Sequence, residues 1–220
     1  MIQVGIIDDH KLFRKSLGML VNSMDNFEVA ISADNGSDFL KQLKDTHVDL
    51  ILLDIQMPIM NGFETCQVLH RLHPDIKILI VSQLTTKESI HKIMELGAHG
   101  YFTKNSDPDQ LEFAMNSLNE KGYYFGTELG NVLREAILWE HKNESTFDIE
   151  DNFTLTQREL EIIKMASAEF SSAKIADILN INVRTVDTHR KNIMKKTHSK
   201  NFIGVVLFAL KNNYLTLEEL

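Results

Sequence analysis

A chain of 220 residues suits two modules, one of roughly 120 and one of roughly 65, each able to bury its own core. With 43% apolar and 25% charged residues it has the make-up of an ordinary soluble globular protein, and no apolar run approaches the roughly 20 residues of a membrane-spanning helix. The net charge of −8 excludes a surface that is basic throughout, but residues 153–220 carry ten Lys/Arg against seven Asp/Glu, whereas 1–152 carry thirteen against twenty-four; a local basic face at the C-terminal end is enough to attract phosphates.

The opening residues pass from Met1 straight into the strand-like QVGII, without the basic and apolar regions of an export signal, so a cytoplasmic location is expected. The single cysteine, Cys66, permits no internal disulfide and reads as a small apolar residue on a helix. Short apolar runs then alternate with amphipathic stretches: 4–8 with 11–22, 27–31 with 37–44, 48–54 with 63–72, 76–82 with 87–96, and 99–103 with 108–119. These are five strand–helix units. The unbroken apolar character of LILL and ILIV predicts strands buried on both faces, hence a five-stranded parallel sheet wound on both sides, a flavodoxin-like α/β arrangement. Gly97 reads as a helix C-cap.

Beyond residue 122 the pattern changes. Residues 127–141 have helical spacing and 142–152 (KNESTFDIEDN) are polar and acidic, which predicts a partly helical linker over 123–152 between modules at 1–122 and 153–220. The last module reads as four amphipathic helices near 156–168, 172–179, 183–196 and 201–213. Thr156 and Glu159 have capping-box spacing, with Leu155 and Leu160 spaced as a hydrophobic staple. Ser171 or Ser172 can cap the second helix and Asn182 the third. A tight turn between the second and third helices predicts a helix-turn-helix.

In a doubly wound parallel sheet, ligands bind outside the carboxyl ends of the strands. There the sequence places Asp8 and Asp9 after the first run, Asp54 after the third, Ser82 after the fourth and Lys104 after the fifth. These types suit phosphoryl transfer: a carboxylate nucleophile, a divalent cation held by neighbouring carboxylates, and a Lys and a hydroxyl that donate to the phosphoryl oxygens. Such a hard oxygen site suits Mg²⁺.

Asp8-Asp9, D54-I-Q-M57-P58-I-M-N-G62, Ser82 and Y101-F-T-K104, in this order and spacing, resemble the receiver domain of two-component response regulators over residues 1–120. The resemblance implies that Asp54 is the phospho-acceptor, supplied by a histidine kinase. It implies that Asp9 ligates Mg²⁺ directly and Asp8 through water, with the main-chain carbonyl of Gln56 as a further ligand. Lys104 would pair with the phosphoryl group, Ser82 would hydrogen-bond it, and Tyr101 would change rotamer and bury. Gln83 departs from the small residue usual after the Ser/Thr.

On the third helix of the last module, Val186, Ile193 and Met194 can face a core, while Arg184, Asp187 or Thr188, Lys191 and Lys195 recur on another face. Together L155-T-Q-R-E159-L-E161, K174-I-A176-D-I-L179 and T185-V186-D-T-H189-R-K-N192-I193-M-K-K196 resemble the LuxR-type helix-turn-helix. That resemblance implies DNA contacts from Arg184, Thr185, Asp187, Thr188, Lys191 and Lys195. Glu169 stands where Gly is common, and Asp187 where a DNA-contacting Lys is frequent. His189 reads as a partly buried helix residue.

Receiver plus this output module resembles the NarL/FixJ type, which implies a transcription regulator whose phosphorylation switches dimerisation and DNA binding, without multiple-turnover catalysis. Paired DNA half-sites make a homodimer the expected form, with Phe202, Val205, Val206, Phe208 and Ala209 on the last helix as a candidate dimer surface or as core. Two alternatives are a protein of the same fold controlled by a protein partner, and a flavodoxin-like enzyme. No glycine-rich phosphate loop follows the first strand, which weighs against a flavin.

Overall fold

The computed structural model describes residues 1–83, 86–124, 126 and 155–216. The helix expected at 127–141 and the linker at 142–152 lie outside the described residues. The chain divides into two compact units, Met1–Leu129 and Gly130–Leu220.

The first unit alternates strand and helix throughout: β1 (Ile2–Ile7), α1 (Lys11–Asn22), β2 (Phe27–Ala33), α2 (Gly36–Gln42), β3 (Leu50–Leu53), α3 (Gly62–Leu72), β4 (Lys77–Ser82), α4 (Lys87–Leu96), β5 (Gly100–Thr103) and α5 (Pro108–Lys121). The strands form one parallel sheet in the order β2-β1-β3-β4-β5. β3 is buried at every residue, because helices cover both faces of a sheet whose strands run parallel. On one face, Leu17 and Val21 of α1 and Leu111, Ala114, Met115 and Leu118 of α5 pack on Val4, Leu50, Leu52 and Leu79. α3 starts at a full capping box between Asn61 and Glu64. α4 ends at Gly97 with φ 109°, a left-handed residue that glycine adopts without strain.

Between α4 and β5, the half-buried His99 accepts the Ile78 amide on Nδ1 at 3.1 Å. Burial pushes its imidazole down to about 4, and His70 and Lys77 push the same way. A histidine held neutral in the fold contributes stability above its unfolded value of 6.5, and that stability is lost as acid protonates the unfolded chain first. Between pH 7 and pH 5 the first unit is therefore expected to lose about 2 kcal/mol from this group. Urea unfolding at the two pH values checks this, with His99→Asn, which keeps an acceptor but does not titrate, expected to flatten the dependence.

The second unit is helical: α6 (Gln157–Ser167), α7 (Ser172–Leu179), α8 (Val183–Lys196) and α9 (Phe202–Lys211). Each helix start carries the cap that its residue type provides. Thr156 and Glu159 close a capping box, and the Glu159 carboxylate also accepts from Lys196 Nζ at 2.7 Å. Ser171, not Ser172, caps α7, and Asn182 caps α8. α7 ends at Asn180 in the left-handed region, φ 51°, so only two residues, Ile181 and Asn182, separate that turn from α8. Glu169 also has a positive φ of 61°; glycine fits this conformation and a glutamate is strained in it.

Val186 and Ile193 are buried as expected, while Met194 is only partly so. Phe202, Val205, Val206 and Ala209 are almost wholly buried within their own unit. Of the two readings open for the last helix, burial favours core for these four residues, while Leu207 and Phe208 are partly exposed, Phe208 stacked on Tyr214 with ring centroids 6.3 Å apart.

Candidate functional site

At the carboxyl ends of β1 and β3, each strand stops where an aspartate begins. Asp8 and Asp54 are buried, whereas the Asp9 side chain is about a third exposed. The two strands are in register here, Ile7 beside Leu53, and the Asp54 amide donates to the Ile7 carbonyl at 2.9 Å. Carboxylate oxygens of Asp8, Asp9 and Asp54 and a ring nitrogen of His10 all lie within 4.8 Å of one another. Hard oxygen donors so gathered fit a divalent cation such as Mg²⁺.

Lys104 follows β5 and reaches into this cluster. Its Nζ lies 2.6 Å from Asp8 Oδ2 and 2.8 Å from Asp54 Oδ2, and 4.7 Å above the Phe13 ring. Burial alone would push the ammonium down, but the hydrogen bonds to Asp54 and Asp8 outweigh it and hold its pKa above the ordinary lysine range. The ammonium is therefore charged wherever the protein is folded near neutral pH. Asp8 has both oxygens engaged, Oδ1 by the His10 amide at 2.8 Å and Oδ2 by Lys104.

Asp54 Oδ1 accepts the Ile55 amide at 2.7 Å, leaving its outer edge facing a cleft lined by His10, Leu12, Phe13, Gln56, Ser82, Gln83 and Lys104. Ser82 ends β4 and is buried beside Thr103 of β5. Gln83 and Gln56 are exposed at the cleft mouth. Tyr101 is fully buried. Asp8, Asp9, Asp54, Gln56, Ser82 and Lys104 are thus brought to one end of the sheet.

Two arginines escaped the sequence reading. Arg14, one turn into α1, donates to the Asp8 main-chain carbonyl and pairs with Asp34. It fixes the turn that carries the acidic pair. Arg190 lies in α8 but is buried: its Nη1 donates to Ser172 Oγ at 3.1 Å, and its guanidinium sits 4.4 Å from the centroid of the Phe202 ring. Its spacing from Val186 and Ile193 by four and three residues put it on the core face.

In the second unit, Arg184, Thr185, Asp187, Thr188, Lys191 and Lys195 are all exposed on α8, and His189 is partly buried. Asp187 makes no ion pair with Arg184 or Lys191 among the described residues.

Residues 4–116 match the response regulator receiver domain family, and residues 153–209 match the luxR family of bacterial regulatory proteins. The chain is a response regulator. It is 29% identical over 224 residues to the transcriptional regulatory protein DegU of Brevibacillus brevis, covering 97% of this chain and 95% of that one. It is likewise 29% identical over 209 residues to the nitrate/nitrite response regulator protein NarP of Escherichia coli strain K12, covering 95% and 94%. Among solved structures, the response regulator ChrA of a heme-sensing two-component system superposes with a TM-score of 0.52 at 26% identity, over 97% of this chain and 98% of that one. The RcsB regulator of Salmonella typhimurium has the same fold, with a TM-score of 0.58 at 19% identity over 93% and 96%. The regulator is thus of the NarL/FixJ type, a phosphorylation-controlled transcription regulator with a receiver and a LuxR-type DNA-binding domain. Among the described residues, no helix of the regulator is long and apolar enough to cross a membrane.

Proposed function

We propose that Asp54 of a receiver spanning 1–122 accepts a phosphoryl group from a histidine kinase, and that this switches dimerisation and promoter binding by a domain spanning 153–220, joined by a linker over 123–152. The observation that carries the reading is Asp54 itself: a buried carboxylate with one edge open to a cleft, Lys104 at 2.8 Å and two further aspartates beside it. In the transfer, an Asp54 oxygen attacks phosphorus, the phosphorus–nitrogen bond of the phosphohistidine breaks, and its electron pair stays on the imidazole. Lys104 then follows the negative charge from the aspartates to the phosphoryl oxygens, and Ser82 donates its hydroxyl to one of them. Asp9, Asp54 and the Gln56 carbonyl would hold Mg²⁺, with Asp8 acting through water; the cation supplies neutralisation of the phosphoryl charge.

The added group biases an equilibrium of the surface between Ser82 and Phe102, and the output domain responds. Arg184, Thr185, Asp187, Thr188, Lys191 and Lys195 meet DNA, two copies of the chain engaging paired half-sites about 34 Å apart. The chemistry is one self-modification per chain, in the cytoplasm, and not turnover of a substrate. Incubation of the full chain with acetyl phosphate, followed by intact mass, is expected to show a gain of one phosphoryl group that requires Mg²⁺. No gain from acetyl phosphate or from phosphorylated histidine kinases would move control to a protein partner.

A further inference from the structure

The charges on the exposed face of α8 are basic except at one place, with Arg184, Lys191 and Lys195 on one side of the balance and Asp187 on the other. Asp187 is the only acidic residue in the helix, and no ion pair within the described residues of its own domain holds it. It is the fifth residue of α8, beyond the first turn in which a carboxylate gains most from the helix dipole and the free amides. Arg184 and Lys191 stand three residues before and four after, at ion-pairing distance along a helix, yet among the described residues neither pairs with it. The core contacts of α8 come from Val186, Arg190 and Ile193. An aspartate in an exposed helix interior only lowers helix propensity.

A carboxylate presented to DNA has a narrow choice of partners. Phosphates repel it, and so do the acceptor atoms of guanine and thymine in the major groove. Two amino groups remain, cytosine N4 and adenine N6, and adenine places its N7 acceptor beside the amino group, where it faces the second carboxylate oxygen. Asp187 lies in the N-terminal half of the second helix of a helix-turn-helix, the part that reaches base edges. Its neighbour Thr188 is turned back on its own helix, the Oγ1 donating its one hydrogen to the Arg184 carbonyl at 2.8 Å, so this turn offers DNA acceptors only, the Thr188 oxygen and the charged and stronger Asp187 carboxylate.

We propose that Asp187 is a specificity-determining residue that makes each half-site of the operator demand a cytosine. The inference rests on the DNA-binding reading of the output domain and deepens it. Asp187 gives up general affinity for the backbone and gains rejection of wrong bases, so selectivity of this chain comes partly from a built-in repulsion.

The test is selection from a random double-stranded DNA pool by the full chain, phosphorylated with acetyl phosphate and Mg²⁺, followed by sequencing. Wild type is expected to enrich paired half-sites with an invariant cytosine that no other base replaces without a loss of about tenfold or more in affinity. Asp187→Ala should lose the preference at that one position and keep the rest of the motif. Asp187→Asn should move it toward adenine, which Asn reads through N6 and N7. Because Asp187 is exposed, both variants are expected to melt with the wild type, which separates a lost contact from a lost fold. A wild-type motif that both variants share unchanged would overturn this inference alone. A wild type that enriches no sequence would overturn it together with the DNA-binding reading.

Discussion

Asp54→Ala is expected to abolish phosphoryl incorporation while leaving the receiver folded. Asp8 and Asp9 do not take over. Asp8 is turned toward the His10 amide and Asp9 toward the His10 ring, whereas Asp54 alone of the three lines the cleft that Ser82 and Lys104 share, with the ammonium at 2.8 Å. The fold survives because Lys104 keeps Asp8 Oδ2 at 2.6 Å when Asp54 is gone, so no buried charge is left unpaired, which is the usual source of large losses. Removing one of three clustered carboxylates also relieves repulsion. The thermal midpoint is expected to stay within about 5 °C of wild type, and intact mass after treatment with acetyl phosphate and Mg²⁺ should show the unmodified chain only. A phosphorylated Asp54→Ala protein would mean that the acceptor is elsewhere.

The second large effect is expected at Gly62, where α3 begins. A Cβ there would lie 2.3 Å from the Asp54 carbonyl oxygen and 2.7 Å from Ile55 Cα. Both are backbone atoms of the turn that presents the acceptor, and the same turn is closed by the Gly62 amide donating to the Ile55 carbonyl at 2.9 Å. A methyl group cannot be accommodated by turning a side chain, so Asp54 must move relative to Lys104 and Asp8. Overpacking of this kind costs about 1–3 kcal/mol, and an acceptor displaced by about 1 Å costs up to about 100-fold in rate. Gly62→Ala should therefore both melt earlier and incorporate the phosphoryl group at least about tenfold more slowly. Gly18 of α1 supplies the control, since a Cβ there meets Ile6 only at 3.8 Å; Gly18→Ala is expected to raise stability by about 0.5–1 kcal/mol and leave the rate unchanged.

The sheet was legible because parallel strands must be apolar on both faces, and a run such as LILL leaves no other reading once helices flank it. Strand ends moved by one or two residues, with β1 beginning at Ile2 and ending at Ile7. The acidic cluster was legible from the same fact: polar residues that terminate buried strands share one edge of the sheet. Hidden were the contacts that depend on three-dimensional path. Arg14 supports Asp8 from a neighbouring helix turn through a main-chain carbonyl, which carries no sequence signal. Arg190 reads as one more cation in a basic helix, although Ser172 and Phe202 hold it inside. The apolar stripe of α9 suits a core and a dimer surface equally well by pattern, and only burial tells them apart. Glu169 shows the converse: a glutamate by itself gives no hint of a left-handed residue, and only the resemblance, which has Gly common there, points to its φ of 61°.

The central claim is that phosphate on Asp54 raises affinity for DNA. The deciding measurement is an affinity titration of one selected operator duplex at a single fixed salt concentration, using wild type and Asp54→Ala, each with and without acetyl phosphate and Mg²⁺. The account predicts a gain of about 5- to 150-fold for wild type on phosphorylation, the range of an ordinary coupling between two sites, and no gain for Asp54→Ala. Equal affinity of phosphorylated and unphosphorylated wild type, or the same gain in Asp54→Ala, would contradict it.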